Sequence, residues 1–140
     1  MSYLDEELIA DLKKSNINSS TLSKTEHSAI IRKINEHIPF TGSQIAWSSL
    51  ENSISFGSTS SSAALSMFAE KINAVADGEL IFIGDSVCDD AYLVKVEHID
   101  QTLRIFSESP QHTYILQNSL AWIACISFEG HLDFANTICR

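Results

Sequence analysis

The chain has 140 residues and a formal net charge of −9, from 18 acidic and 9 basic residues. Its length predicts one domain, since domains commonly hold about 100–200 residues. Nucleic acids and anionic membranes are bound mainly through lysine and arginine, so this charge argues against both as partners. A hydrophobic content of 44% excludes a disordered acidic tail.

The charge is unevenly distributed along the chain. Residues 1–76 hold 8 acidic and 6 basic residues, whereas residues 77–140 hold 10 acidic and 3 basic residues. Such an acidic second half fits a solvated surface that keeps the protein soluble, and it fits a surface that attracts a basic partner equally well.

Cysteine usage and targeting signals indicate the compartment. Cys88, Cys125 and Cys139 are odd in number and scattered, which does not build a disulfide framework. The N-terminus is acidic where a signal peptide is basic and then apolar. The longest apolar run, Ala121–Ile126, is far shorter than the roughly 20 residues of a membrane-spanning helix. We therefore expect a cytoplasmic protein with free thiols.

The first half of the chain predicts three helices. Ser2 begins the first, which runs to about Lys14. Ser23 and Glu26 form a capping box for the second, which ends before a proline at position 39. Apolar residues at helical spacing predict the third helix over 64–75.

The second half of the chain predicts strands. Apolar or alternating segments recur about every ten residues with turn signals between them, a spacing typical of an antiparallel meander. These segments are 79–84, 91–97, 102–107, 113–117, 121–128 and 132–134. Residues 119–128 also fit a helix, but their alternation favours a strand. Residues 42–62 stay open between strand and loop.

These elements together predict an α+β fold in one domain over residues 1–140. Residues 1–78 are mainly helical, with 42–62 ambiguous, and residues 79–135 form an antiparallel meander of about five or six strands. We expect the helices to pack on one face of this sheet.

The segment Gly84-Asp85-Ser86 is the most chemical-looking motif in the chain. It resembles the nucleophile block of GDS-type (SGNH) esterases, but their late Asp-x-x-His does not occur here. With Asp89 and Asp90 it also resembles the last motif of haloacid-dehalogenase-type phosphatases, whose upstream Asp-x-Asp is missing as well. A small esterase or phosphatase that uses this loop is therefore the alternative function. The simpler interpretation is a strand end followed by an acidic loop.

Histidines and cysteines give no further catalytic or metal site. The five histidines show no ligand spacing, and His112 and His131 are candidates only to meet across the predicted sheet. Cys88 stands beside Asp89 and Asp90, and neighbouring negative charge makes a thiol a poor nucleophile. The sequence thus predicts no catalytic residue, no metal site and no cofactor.

Several short segments of the second half resemble a pattern found in bacterial toxin-immunity proteins. They are Pro110–Tyr114, Trp122, Ser127–Gly130 and Asp133-Phe134. The most similar group is the immunity proteins of contact-dependent growth inhibition systems. The SMI1/KNR4-like (SUKH) immunity family is a rival, because the strand after Gly78 and the run from position 113 to 120 partly match it, although its Leu-Pro-x-x-Tyr stretch is absent.

The resemblance implies an immunity protein that binds a cognate toxin C-terminal domain and neutralises it by occlusion, without chemistry of its own. Nuclease toxins tend to be basic because they bind phosphates, and an acidic face speeds association with such a partner. The candidate partner-binding residues are the acidic ones of the second half: Asp85, Asp89, Asp90, Glu97, Asp100, Glu108, Glu129 and Asp133.

Overall fold

The structure, a computed structural model, describes residues 2–42, 44–85 and 90–137. Its helices are α1 (Tyr3–Lys14), α2 (Lys24–His37), α3 (Ser62–Val75) and α4 (Ile99–Phe106), with short 3₁₀ turns at Trp47–Ser49 and Val96–His98. None of the helices within the described ranges is long and apolar enough to cross a bilayer.

The starts of α1 and α2 follow from local sequence. Ser2 and Ser23 are N-caps, and each forms the reciprocal capping box with the acidic residue three positions later. In α2 the Ser23 Oγ accepts a 3.1 Å hydrogen bond from the Glu26 backbone N–H, and the Glu26 carboxylate accepts one from the Ser23 N–H. These bonds satisfy donors that a helix start otherwise leaves unpaired. The predicted helix starts are confirmed.

The strands are β1 (Ser19–Thr21), β2 (Phe40–Thr41), β3 (Gln44–Ile45), β4 (Glu51–Ser58), β5 (Glu79–Gly84), β6 (Ala91–Lys95), β7 (Thr113–Leu116), β8 (Trp122–Ile126) and β9 (His131–Asn136). Seven of them form the main sheet, all paired antiparallel, in the order β1-β6-β5-β7-β8-β9-β4. Two further strands, β2 and β3, form a separate hairpin. The α+β class with an antiparallel sheet is thus confirmed.

The ambiguous segments resolve in different ways. The strand predicted over 121–128 is confirmed as β8. Within 42–62 the structure has β3, a 3₁₀ turn and β4, and β4 joins the main sheet beside β9. The mainly helical first half therefore also supplies both edge strands, β1 and β4, which raises the number of strands to seven.

The prediction of a strand over 102–107 is wrong, because this segment belongs to α4. Its buried residues are Ile99, Thr102, Leu103 and Phe106, a helical spacing that places them on one face. Residues 102–107 alternate like a strand when they are considered alone. The helical spacing becomes visible when Ile99 is included.

The prediction that all helices pack on one face of the sheet is also wrong. The first face carries α1, α3 and α4 over a core that includes Phe82 and Phe106, whose rings stack 4.6 Å apart. The second face carries α2, through Ile30 and Ile34, together with the β2–β3 hairpin. The central strands β7 and β8 are buried along their whole length, so both of their faces need an apolar cover.

Candidate functional site

Polar residues gather at one end of the second face, where the β5, β7, β8 and β9 strands begin or end. The Asp85 backbone N–H donates to the His112 carbonyl at 3.1 Å, and the Ser127 N–H donates to the His131 carbonyl at 2.9 Å. These bonds extend the ladders past the strand ends. They fix Asp85, His112, Ser127 and His131 in one row.

A second row of polar side chains lies one step further into the sheet. Tyr114 pairs with Cys125 across β7 and β8, Cys125 pairs with Asp133 across β8 and β9, and Asp133 pairs with Ser55 of the edge strand β4. Facing residues in an antiparallel sheet present their side chains on the same side. The register therefore brings a phenol, a thiol and a carboxylate together.

The two rows line a polar cleft of about 290 Å³ beside the β2–β3 hairpin. His112 and His131 both line it, and the register places Ser127 between them. The cleft is lined by Gln44, Ile45, Trp47, His112, Tyr114, Cys125, Ser127, Glu129, His131 and Asp133.

Hydrogen bonds hold the rim of the polar cleft in place. The Asp85 carboxylate accepts from the His112 backbone N–H at 3.0 Å. The Nδ1 of His112 in turn accepts from the Phe128 backbone N–H at 2.9 Å, which places the proton of a neutral imidazole on Nε2. Phe128 itself projects from the β8–β9 turn with 62% of its surface exposed. The rim thus combines fixed polar groups with one exposed aromatic ring.

Burial in the polar cleft raises the pKa values of its thiol and its phenol. Burial strongly raises the pKa of Cys125, and the charges of Asp133, Asp85 and Glu129 raise it further. Burial likewise raises the pKa of Tyr114, with smaller contributions from Cys125 and Asp85. A thiol is nucleophilic as its thiolate, so Cys125 is not poised to attack a substrate.

Asp133 is the carboxylate whose protonation the fold disturbs most clearly within this cleft. Burial raises its pKa, although the nearby His131 and a hydrogen bond from Ser55 act in the opposite direction. Partial desolvation in the folded protein therefore penalises the negative charge of Asp133.

An apolar cleft of about 590 Å³ adjoins the polar one, between α2 and the ends of β5 and β7. Tyr114 lines both clefts, and its ring meets Phe40 edge-on with centroids 6.3 Å apart. Asp85 lies at the end of the apolar cleft. Tyr114 therefore stands between the two clefts and forms part of the wall of each.

The structure divides the eight acidic candidates into separate groups. Asp85, Glu129 and Asp133 come together at the clefts. Glu97, Asp100 and Glu108 lie around α4 on the other side of the sheet, where Asp100 pairs with Arg104 at 3.4 Å.

Two candidates belong to neither of these groups. The backbone N–H of Asp90 donates to the carboxylate of Asp5 at the start of α1, at 3.4 Å. Asp89 lies outside the described residues, as does Ser86 of the Gly-Asp-Ser motif. The glycine of that motif has a packing role, because a Cβ on Gly84 would clash with the side-chain amide of Gln111.

Sequence reasoning missed the contribution of Tyr114 and Cys125 to the site. Their alternation in β7 and β8 placed them in strands, but only the register puts both beside Asp133. Within the described ranges, acidic, histidine and cysteine side chains form no group suited to hold a metal ion.

Comparisons of this chain with family models, with curated proteins and with solved structures found no match.

The open edges of the sheet are less suited to binding than the clefts. The β1 edge is only three residues long. The β4 edge is interrupted by register shifts between Glu51 and Ile54 and between Ser55 and Gly57. Short and bulged edges are common devices against pairing with another chain. The clefts are therefore the better candidate for a functional surface.

Proposed function

We propose that this chain is an immunity protein that binds the basic toxic domain of a partner, a nuclease, and neutralises it by occluding its active or substrate-binding surface. The observation that carries the proposal is the convergence of Asp85, Glu129 and Asp133 at one incompletely covered end of the second face. Lysine and arginine are absent from the described lining of both clefts. This surface suits a cationic partner.

Phe128 supports a protein partner. The ring is exposed and its neighbour in sequence is Glu129, so an apolar anchor stands beside carboxylates. Protein interfaces are commonly built around aromatic anchors with a polar rim. A solvated surface needs no such aromatic residue.

The raised pKa of Asp133 also favours a binding role. Partial desolvation of the negatively charged carboxylate lowers the stability of the folded protein. Residues that lower stability in this way are common at functional sites. The raised pKa of Cys125 argues against a thiolate nucleophile in this cleft. We place this activity in the cytoplasm, where a nuclease toxin meets its nucleic acid.

Co-expression tests the proposal. The partner is the polypeptide encoded directly upstream, expressed alone and together with this chain. We expect the upstream polypeptide to stop growth, this chain to restore growth, and the two to co-purify. An upstream product that is harmless, or that remains toxic and unbound in the presence of this chain, would contradict the proposed function.

A further inference from the structure

The cleft beside α2 is lined mainly by apolar side chains, and one of them is exposed to water. Ile31 projects from α2 with 43% of its surface exposed, and Ile34 and Ile38 continue the same wall. Ile83 and Tyr114 form the sheet side. Its volume of about 590 Å³ falls within the roughly 300–1,000 Å³ typical of binding clefts.

Polar side chains line the apolar cleft on both sides, with Asn35 on α2 and with Asp85 and Tyr114 on the sheet. Asp85 is exposed there, and the carboxylate keeps capacity for further hydrogen bonds after accepting the His112 N–H. The Tyr114 hydroxyl, a phenol that is protonated at neutral pH, can act as a hydrogen-bond donor in the same cleft. A molecule bound in this cleft would therefore contact both apolar side chains and the carboxylate of Asp85.

Beyond Tyr114 the negative character continues into the polar cleft. Asp133 and Glu129 lie on that side. A small molecule would fill one cleft, whereas an extended polypeptide is long enough to contact the clefts on both sides of Tyr114. Cationic side chains on such a segment could pair with Asp85 in the apolar cleft and with Glu129 or Asp133 in the polar cleft.

We propose that the apolar cleft receives an apolar side chain of the partner polypeptide, with an arginine or lysine next to it that pairs with Asp85. This inference rests on the proposed function for the existence of a polypeptide partner. It adds the recognition element: the apolar residue supplies the buried contact, and the adjoining cation selects the segment.

Short synthetic peptides test the cleft without the partner. The probe is a capped pentapeptide with one leucine between two arginines, titrated to millimolar concentration while the methyl signals of Ile34, Ile38 and Ile83 are followed by NMR. The matched probes replace the arginines by glutamates, or the leucine by glycine. We expect saturable shifts at the three isoleucines with the first peptide only. Equal shifts with the glutamate peptide, or no shifts at these methyls, would overturn the inference.

Two pairs of variants locate the binding site. Ile31→Gln removes an exposed apolar side chain from the cleft, and Met67→Gln removes one that is 56% exposed on α3. We expect Ile31→Gln to weaken peptide binding at least about threefold, because burying each apolar CH₂ group contributes to the binding free energy. Met67→Gln should leave peptide binding unchanged.

The charge contribution is tested in the same way. Asp85→Asn keeps an acceptor for the His112 N–H but loses the charge, while Asp100→Asn removes an exposed charge beside α4. We expect up to about fivefold weaker binding for Asp85→Asn and no change for Asp100→Asn, in line with exposed ion pairs. Equal effects within each pair would overturn the inference.

The co-expression result separates this inference from the proposed function. If the arginine peptide occupies the cleft but the chain does not protect against the upstream product, the proposed function fails and the cleft remains a peptide site. If the chain protects the cell but the arginine peptide leaves the three methyls unmoved, the inference fails alone.

Discussion

The two faces of the sheet are covered to different extents. The first is covered by α1, α3 and α4 over a core that buries Phe68, Phe82 and Phe134 fully. The second has one helix and a two-stranded hairpin, and beyond them it ends in two clefts around Tyr114. We infer that the first face supplies stability, whereas the second keeps part of its surface for a partner.

The largest effect on stability should come from the first face. Phe106 is 2% exposed, stacks on Phe82 and meets Tyr92 edge-on with centroids 5.8 Å apart. Phe106→Ala should lower the free energy of unfolding by about 3–5 kcal/mol, because it loses buried contacts and leaves a cavity. Urea denaturation gives the value. Phe128→Ala, at the exposed ring of the second face, should stay within about 0.5 kcal/mol. Similar losses in both variants would erase the contrast between the faces.

A buried hydrogen bond should give the next effect. The Tyr92 hydroxyl donates to the carboxylate of Asp5, which is fully buried and also accepts from the Ser2 hydroxyl at 2.6 Å. Tyr92→Phe should cost about 1–3 kcal/mol, because it takes a hydrogen-bond donor from a buried carboxyl group. Tyr114→Phe, in the clefts, should cost less in the same denaturation experiment. A larger loss from Tyr114→Phe would mean that the second face also carries stability through its polar groups.

The capping box of α2 tests how firmly the second face is covered. Ser23→Ala should destabilise the protein by about 1 kcal/mol, because the Glu26 N–H loses its acceptor. Ser28→Ala, on an exposed position of the same helix, serves as the control and should be neutral or slightly stabilising, since alanine favours helices. Thermal denaturation compares the two. Equal behaviour of the two variants would show that the start of α2 does not contribute to the cover.

The smallest effect is a pH-dependent one at Asp133. Because its folded pKa is raised above the ordinary value of 3.8, the folded state binds the proton more tightly than the unfolded state does. The anion therefore costs stability at neutral pH, and this cost disappears as the pH falls through the folded pKa towards 3.8. Asp133→Asn should be more stable than the wild type at pH 7, with the difference shrinking on acidification. A difference that grows on acidification would contradict the assigned cause.

Local features of the fold could be predicted from the sequence. The capping residues Ser2 and Ser23 mark the starts of two helices, and alternation marks β7 and β8. The error at α4 has a local cause as well, since the segment is only two turns long and part of it alternates. Its helical period becomes visible only from Ile99 onwards.

The clefts could not be predicted because they depend on long-range pairing. The sequence groups Asp85 with Asp89 and Asp90 in one acidic loop. Nothing local groups Asp85 with Glu129 and Asp133, or separates those two from the acidic residues around α4. The separation arises from the strand order and from the position of α4 on the opposite face. Likewise, Tyr114 and Asp133 become neighbours only through the register of β7, β8 and β9.

The most direct test compares two triple variants in their association with the purified upstream toxin domain. One variant neutralises the cleft carboxylates (Asp85→Asn, Glu129→Gln, Asp133→Asn), and the other neutralises the group around α4 (Glu97→Gln, Asp100→Asn, Glu108→Gln). Both lose the same formal charge. We predict that the first lowers the association rate constant at low ionic strength by about tenfold or more and weakens its salt dependence, while the second changes the rate less than about twofold. Equal losses in the two variants would contradict the assignment of the partner surface to the clefts.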